Sequence, residues 1–251
     1  MPNKENSAFR PTRGSVRAIV ATLIATVALV LMPSPPAGAT AVGAVGQGGV
    51  SANVVFGPMS AKWWKWLAEQ PASANPYLST DGTNCGQAQQ PGPVFFLAGY
   101  PNGPIVREGC IIPYGKAVFF PIVNVANVKT VSTETATELW RQLKDDVRWR
   151  ALSAKVWVDG RPIPGISASN PLWRGCVGPE RGCAPRSFSI DLPQDNIFGV
   201  VDPVYDLAVA DGWYALIPPL ARGKHQIRWT GAATFGPGIQ TQNVTYNLTV
   251  S

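Results

Sequence analysis

Apolar residues at helical spacing predict a first helix over 60–70. Trp63, Trp66 and Leu67 fall on one face of this helix, and charged residues fall on another. Such an apolar face is typical of a helix that packs on a sheet. Trp64 lies apart from that face, so we predict a surface aromatic residue that can contact a ligand.

A longer series of apolar residues predicts a second helix of about four turns. Its members recur at i, i+3, i+4, i+7 and i+11, and they are Ala136, Leu139, Trp140, Leu143 and Val147. Hydroxyl residues immediately before the series, ending at Thr135, offer N-caps. We expect this helix to pack its apolar stripe on the rest of the domain.

Most of the remaining chain consists of short apolar segments separated by turn residues, which predicts β-strands. The predicted strands are 94–98, 117–123, 155–158, 187–192, 213–217, 225–230 and 243–250. The last segment places Val, Tyr and Leu on one face and Asn and Thr on the other, as in an antiparallel sheet with one solvated face. Turns about every 8–12 residues favour a sandwich or a barrel. We therefore predict a mainly β domain over 53–251: a single antiparallel β-sandwich, jelly-roll or immunoglobulin-like, with two peripheral α-helices.

Residues 1–39 show the order of segments found in an export signal. Three arginines precede an apolar run over 18–32, and small residues ending at Ala39 suit a signal peptidase. The apolar run of about 15 residues is shorter than the ~20 that span a bilayer, so a retained anchor is the less favoured alternative. The pattern predicts a secreted bacterial protein cleaved near Ala39, with 40–52 as a flexible lead-in and no stable membrane anchor after cleavage.

The net charge changes when this leader is removed. Residues 1–39 contain four basic and one acidic side chains, so the formal net charge falls from +6 to +3. The basic residues of the remaining chain are scattered, with no block of like charge and no aromatic-basic platform. Nucleic-acid binding depends on such features, so we expect no nucleic-acid partner.

Four cysteines, Cys85, Cys110, Cys176 and Cys183, lie beyond the leader. An even number of cysteines in an exported chain indicates disulfides, and three pairings are open. We favour Cys85–Cys110 with Cys176–Cys183, because the second pair closes a short loop containing glycine and proline. A zinc site is not supported, since the chain has no C-x₂-C pair and no second histidine.

Few residues are candidates for catalysis. His225 is the single histidine of the chain, and its position on a predicted strand without any G-x-S-x-G motif favours a structural role. The late aspartates are Asp191, Asp195, Asp202, Asp206 and Asp211. Their spacing matches no calcium-loop motif, and nearby prolines indicate turns in which aspartates accept hydrogen bonds from the backbone. Asp202, Asp206 and Asp211 remain candidate ligand-binding residues together with Trp64, and no catalytic residue, metal site or cofactor is predicted.

Several segments together resemble a family of exported bacterial proteins that carry signal peptides and have no assigned activity. These segments are 63–66, 92–99, 115–122, 211–214 and 244–246. The resemblance extends from about Trp63 to Val250. It implies export and a shared fold, and it implies no catalytic residue.

Three functions are consistent with these features. The favoured one is a non-catalytic, secreted or cell-envelope protein that binds an extracellular glycan or another cell-surface ligand. The first alternative is a secreted hydrolase acting on polysaccharide through a carboxylate pair drawn from residues 191–211 or Glu108. The second alternative is a structural protein of the envelope.

Overall fold

The computed structural model describes residues 52–100, 103–200 and 206–251. The predicted export signal, nearly all of the predicted lead-in and Asp202 lie outside the described residues.

Helix α1 (Ala52–Ala68) begins earlier than the sequence predicted. Pro58 lies inside it, and the Ser60 hydroxyl donates to the Gly57 carbonyl at 2.8 Å, so Ser60 is an internal residue of the helix. The first turns are held by tertiary packing, because the Phe56 ring stacks on Phe119 with centroids 6.1 Å apart. Packing therefore overrides the local signal for a helix start at Ser60.

Helix α2 (Ala136–Arg141) lies where the second apolar stripe predicted it. The Thr135 hydroxyl caps it by accepting a hydrogen bond from the Glu138 backbone N–H at 3.2 Å. The helix then widens into a π-turn over Gln142–Asp146, which turns the Lys144 side chain toward the neighbouring sheet. Such π-turns are rare in proteins and often occur at special sites.

Ten strands in the described part of the chain form two five-stranded sheets. The first sheet has the order β1-β3-β8-β6, with β7 also paired to β8. The second has the order β2-β10-β9-β4-β5. The strands are β1 (Val94–Phe96), β2 (Pro104–Ile112), β3 (Ala117–Val128), β4 (Arg150–Val158), β5 (Arg161–Pro162), β6 (Arg174–Val177), β7 (Phe188–Ser189), β8 (Leu207–Ile217), β9 (Gly223–Phe235) and β10 (Gly238–Val250).

The predicted mainly β fold is confirmed, but the prediction of purely antiparallel strands is wrong. β1 pairs with β3 in parallel, and β2 pairs with β10 in parallel. Strand β2 lies between β1 and β3 in sequence but belongs to the second sheet. The strands β1 and β3 are therefore neighbours in the first sheet without a hairpin between them. Helix α1 is also a core element rather than a peripheral one, since Trp63 and Trp66 are buried and the Trp63 indole N–H donates to the Leu97 carbonyl at 2.9 Å.

Aromatic rings on β3 pack in opposite directions and cover both faces of the first sheet. Phe120 stacks on Trp229 of β9 at 4.4 Å, and Trp229 stacks on Tyr246 of β10 at 5.8 Å. On the other face, Phe119 stacks on Tyr214 at 5.2 Å, beneath helix α1. The second sheet differs, because its inner residues are buried and the alternate residues of β9 and β10 reach solvent.

Two disulfides join the pairs that the sequence favoured. Cys85–Cys110 links the turn at Thr83–Gly86 to β2, and Cys176–Cys183 closes the loop after β6. Disulfides suggest a location outside the cytoplasm. None of the described helices has the length and apolar character needed to cross a membrane.

Gly231 of β9 lies at the closest approach of the two sheets. A Cβ added there would lie 2.5 Å from Val123 Cγ1 and 2.7 Å from the Ile122 carbonyl oxygen. We expect Gly231→Ala to lower the free energy of unfolding by about 1–3 kcal/mol, since overpacking forces the backbone to move. Urea unfolding of the oxidised protein measures this, with Gly86→Ala as the control because a Cβ there meets nothing within 4 Å. Equal stability of the two variants would contradict the close approach.

Candidate functional site

Trp64 is buried, with 7% of its surface exposed, so it is not the surface aromatic that the sequence predicted. Its ring packs edge-on against Trp63 with centroids 5.0 Å apart, and it also contacts Phe198 at 6.0 Å. Helix α1 is covered on more than one face, which its single apolar stripe did not indicate. Trp64 therefore cannot stack on an external ligand.

The predicted aspartates do not come together. Asp206 is exposed just before β8 and accepts a hydrogen bond from the Ser189 hydroxyl at 2.9 Å. Asp211 lies within β8 and is fully buried. Five residues along a strand separate the two by about 16 Å, which is too far for a shared ligand contact or a carboxylate pair.

Asp211 instead forms the centre of a buried ion-pair network. Arg174 of β6 donates two hydrogen bonds to the Asp211 carboxylate, from Nε to Oδ1 at 2.8 Å and from Nη2 to Oδ2 at 2.9 Å. Lys144 from the π-turn donates to Asp211 Oδ2 as well. Arg174 also pairs with Glu180 at 3.0 Å, so two carboxylates balance the charges of the two cations.

Aromatic rings surround the cations of this network. The Lys144 ammonium lies 4.9 Å from the centre of the Trp140 ring and 5.2 Å from that of Trp149. Arg174 lies 5.9 Å from the centre of the Trp213 ring. Rings in these positions attract cations and exclude water.

The pKa of Glu180 follows from the same surroundings. Partial burial raises this pKa, but the hydrogen bond and charge of Arg174, together with the charge of Lys144, lower it by more. The Glu180 carboxylate is therefore held ionised. The network can anchor α2 and the π-turn to the first sheet.

His225 has a structural environment, as the sequence favoured. Its Nδ1 lies 2.8 Å from Asp159 Oδ2, and its Nε2 lies 3.0 Å from the Ala221 carbonyl oxygen. Asp159 belongs to the turn between β4 and β5, where it also accepts from the Gln226 backbone N–H at 2.8 Å. The histidine thus joins that turn to β9.

The remaining acidic candidates are single surface residues. Asp195 accepts from the Ser73 backbone N–H at 3.0 Å, and this bond lowers the pKa of its carboxyl. Asp191 is exposed, and Glu108 accepts from the Asn247 amide at 2.6 Å. Within the described ranges, no three His, Cys, Asp or Glu residues are arranged to hold a metal ion.

The outer face of the second sheet carries an open groove of about 560 Å³. The groove crosses β2, β10 and β9 on the side that faces away from the first sheet. Its lining combines amide, hydroxyl, guanidinium and aliphatic side chains, and the residues are Pro104, Ile105, Val106, Gln226, Arg228, Asn243, Thr245 and Asn247.

Strand register places the groove residues in rows across the sheet. In one row Val106, Thr245, Arg228 and Trp157 stand opposite one another on four adjacent strands. Side chains directly opposite in neighbouring strands lie about 5 Å apart. The Arg228 guanidinium lies 5.1 Å from the centre of the Trp157 ring, so this half-buried tryptophan supports the arginine.

A chain of side-chain hydrogen bonds runs beside this row. Gln226 donates through Nε2 to Asn247 Oδ1 at 3.0 Å, and Asn247 donates through Nδ2 to Glu108 Oε1 at 2.6 Å. These bonds fix the orientation of both amides and leave the remaining donors and acceptors facing the groove. The site is therefore a preorganised polar surface with an aliphatic edge.

The sequence predicted only some of the residues that line this face. The Asn and Thr positions of the last strand were predicted to face solvent, and Asn243, Thr245 and Asn247 do so next to the groove. Gln226, Arg228 and Val106 come from strands that only the fold brings beside it. Their contribution depends on the pairing of β10 with β2 and β9, which the sequence pattern does not contain.

No family model matches the chain, and no curated protein or solved structure shows significant similarity to it. The resemblance to exported bacterial proteins thus stays a prediction.

Proposed function

We propose that this is a secreted, non-catalytic protein that binds an extracellular carbohydrate on the outer face of its second sheet. The groove across β2, β10 and β9 is the observation that carries the proposal. Ligand sites are concave and combine a few fixed polar groups with apolar surface, and this groove has both.

The chemistry of the lining supports a sugar ligand. Amide side chains offer both donors and acceptors, and threonine hydroxyls offer both as well, which suits the dense hydroxyl groups of a carbohydrate. Gln226 and Asn247 are already oriented by their mutual hydrogen bond, so binding costs little side-chain entropy. The exposed Val106 supplies an apolar edge to the groove.

The same groove gives little support to the alternative of a polysaccharide hydrolase. Glycoside hydrolysis normally uses two carboxyl groups about 5–10 Å apart. Near the groove, Glu108 is bound to Asn247, and Asp159 is engaged by His225 and the Gln226 backbone N–H. Asp211 lies in β8 of the first sheet, and Asp206 precedes that strand. A structural envelope protein would not need fixed amides along a groove.

Location and architecture complete the proposal. We propose export by the leader with cleavage near Ala39, and a single β-sandwich formed by the two sheets. The disulfides support a compartment outside the cytoplasm, and the stack of Phe120, Trp229 and Tyr246 supports packing of the sheets against each other.

A glycan-binding assay tests the proposal. We expect the purified, oxidised protein to be retained by at least one polysaccharide in affinity electrophoresis. The double variant Gln226→Ala with Asn247→Ala should weaken that binding about tenfold, which corresponds to ~1.4 kcal/mol. The control is Asn84→Ala, an exposed amide outside the groove, which should bind as the parent does. Failure to bind any glycan, or equal binding by the groove variant, would reject the proposal.

A further inference from the structure

We infer that the carbohydrate bound by the outer face of the second sheet is an acidic polysaccharide, with carboxylate or sulfate groups along its chain. This inference rests on the proposed function and specifies the ligand class. Its basis is the distribution of charge on the face.

Four basic side chains share this face. Arg150, Lys155, Lys224 and Arg228 are all exposed. Each stands opposite an outward-facing residue of a neighbouring strand: Arg150 opposite Thr234, Lys155 opposite Thr230, Lys224 opposite Thr249 and Arg228 opposite Thr245. Glu108 of β2 and Asp159 are acidic side chains near this face; Glu108 is engaged by Asn247, and Asp159 by His225 and the Gln226 backbone N–H. The face is therefore strongly positive in a domain that is only mildly basic.

The acidic side chains that could neutralise these cations are engaged elsewhere. Lys65 pairs with Glu69 at 2.9 Å, and Arg141 pairs with Glu138 at 2.8 Å and with Asp146 at 2.9 Å. Arg174 and Lys144 share the buried Asp211. In the described part of the chain, no carboxylate lies within ion-pair distance of the four cations of the outer face. Unpaired charges of one sign along a groove concentrate counter-charged ligands there.

Arg228 is the best-placed of these cations to recognise an anion. Its guanidinium lies over the Trp157 ring, which restricts the side chain while leaving its N–H groups free for a bidentate contact. It also lines the groove, beside Thr245 and the oriented amide of Gln226. A carboxylate or sulfate bound to Arg228 would bring neighbouring hydroxyls of the same sugar to these groups.

The spacing of the cations suits a chain of charges rather than one small anion. Lys155 lies on the neighbouring strand β4, opposite Thr230, which is two residues from Arg228. The two cations are therefore about 8 Å apart. Lys224 is four residues along the same strand, at about 13 Å. These separations exceed the reach of a single small anion, so a polymer with repeated anionic groups is the ligand that contacts them together.

A single-stranded nucleic acid is also a polyanion, but the face lacks what such a ligand requires. Bases stack on exposed aromatic rings in single-strand binding proteins. Trp157 is half-buried, and one face of its ring is occupied by Arg228. The proposal therefore commits to a glycan, and nucleic-acid binding becomes an outcome of the test.

The test compares charge-neutralised variants on four probes. The outer-face variant is Lys155→Gln with Arg228→Gln, and the control is Lys62→Gln with Arg181→Gln, which removes the same charge from exposed positions off this sheet. The probes are polygalacturonate, heparin, neutral dextran and a single-stranded DNA oligonucleotide, each titrated at about 50 and about 300 mM NaCl, a range over which screening changes strongly. Thermal unfolding of every variant is measured alongside.

We expect polygalacturonate or heparin to bind more tightly than dextran and DNA, and to bind more weakly at high salt. The outer-face variant should lose roughly tenfold or more in affinity, while the control stays within about twofold, with unfolding temperatures unchanged. Binding of polygalacturonate assigns carboxylate recognition, and binding of heparin alone assigns sulfate recognition.

Four results would overturn the inference. Binding to dextran as tight as to the acidic glycans would reject it and leave the proposed function intact. Binding to DNA as tight as to the acidic glycans, or an equal loss in both variants, would show a general charge effect. Absence of binding to these acidic glycans alone rejects the inference, whereas absence of binding to every glycan rejects the proposed function as well.

Discussion

Replacing Asp211 with asparagine is expected to lower the free energy of unfolding by about 3–5 kcal/mol, because it breaks a buried ion pair from one side only. Asp211 has no exposed surface and balances Arg174 and Lys144, which expose only 24% and 26% of their side chains to solvent. Removing the negative charge leaves two partly desolvated cations without their shared partner. Glu180 can offset part of one of these charges, since it already pairs with Arg174.

Urea unfolding of the oxidised protein, followed by tryptophan fluorescence, measures this change. Asp206→Asn is the matched control, because Asp206 is an exposed aspartate at the start of the same strand with one side-chain hydrogen bond. We expect the control to change stability by less than about 0.5 kcal/mol. A loss below about 1 kcal/mol for Asp211→Asn would show that the network is not the anchor of α2.

Replacing Arg107 with methionine is expected to lower the free energy of unfolding by about 3 kcal/mol or more, since hydrogen bonds to a charged group contribute about 1.5–3 kcal/mol each. Only 1% of the Arg107 surface is exposed, and no described carboxylate pairs with it. It donates to the Ser79 carbonyl at 2.8 Å, the Ala98 carbonyl at 2.8 Å and the Tyr246 hydroxyl at 2.6 Å. Methionine of similar length would leave all three acceptors without this donor, and those at Ala98 and Tyr246 are buried.

Tyr246 supports this interpretation of Arg107. Burial raises the pKa of its hydroxyl more than the neighbouring guanidinium lowers it, so the phenol stays protonated. It accepts from Arg107 and donates to the Ala98 carbonyl at 3.1 Å. The arginine is thus held by neutral groups that converge from β10 and two loops.

Two further variants test the role of Arg107. Arg107→Lys keeps the charge but loses the planar fork, so we expect a loss of about 2 kcal/mol rather than full stability. Arg228→Met, an exposed arginine on a tryptophan, should change stability by less than about 1 kcal/mol. If Arg107→Met were as stable as Arg228→Met, the carbonyl cluster would not depend on the guanidinium.

The elements that the sequence predicted correctly depend on local information. The stripe from Ala136 to Val147 predicted α2, and the short loop between Cys176 and Cys183 favoured its own disulfide. Residues close in sequence determine both features. Several strand positions followed in the same way, since alternation of apolar and polar residues reports which segments are half-buried. Strands β2 and β6 were not predicted, and the predicted strand 187–192 is reduced to Phe188–Ser189.

The features that the sequence missed depend on distant partners. Alternation does not encode strand direction, so the parallel pairs β1–β3 and β2–β10 could not be predicted. Asp211 was expected in a turn because nearby prolines indicated turns, in which aspartates accept hydrogen bonds from the backbone. Its partners lie 37 and 67 residues away in the chain, at Arg174 and Lys144. Trp64 was predicted at the surface because a residue that covers it, Phe198, is also far away in the sequence.

The position of β10 determines when this fold can be completed. Strand β10 lies between β2 and β9 and pairs with both along its length. Until residues 238–250 are available, β2 has no neighbour in its sheet and Tyr246 cannot accept from Arg107. The groove also lacks its central strand until then. Assembly of the second sheet therefore requires residues 238–250, and a stop codon placed just before Gly238 would remove the strand that joins β2 to β9.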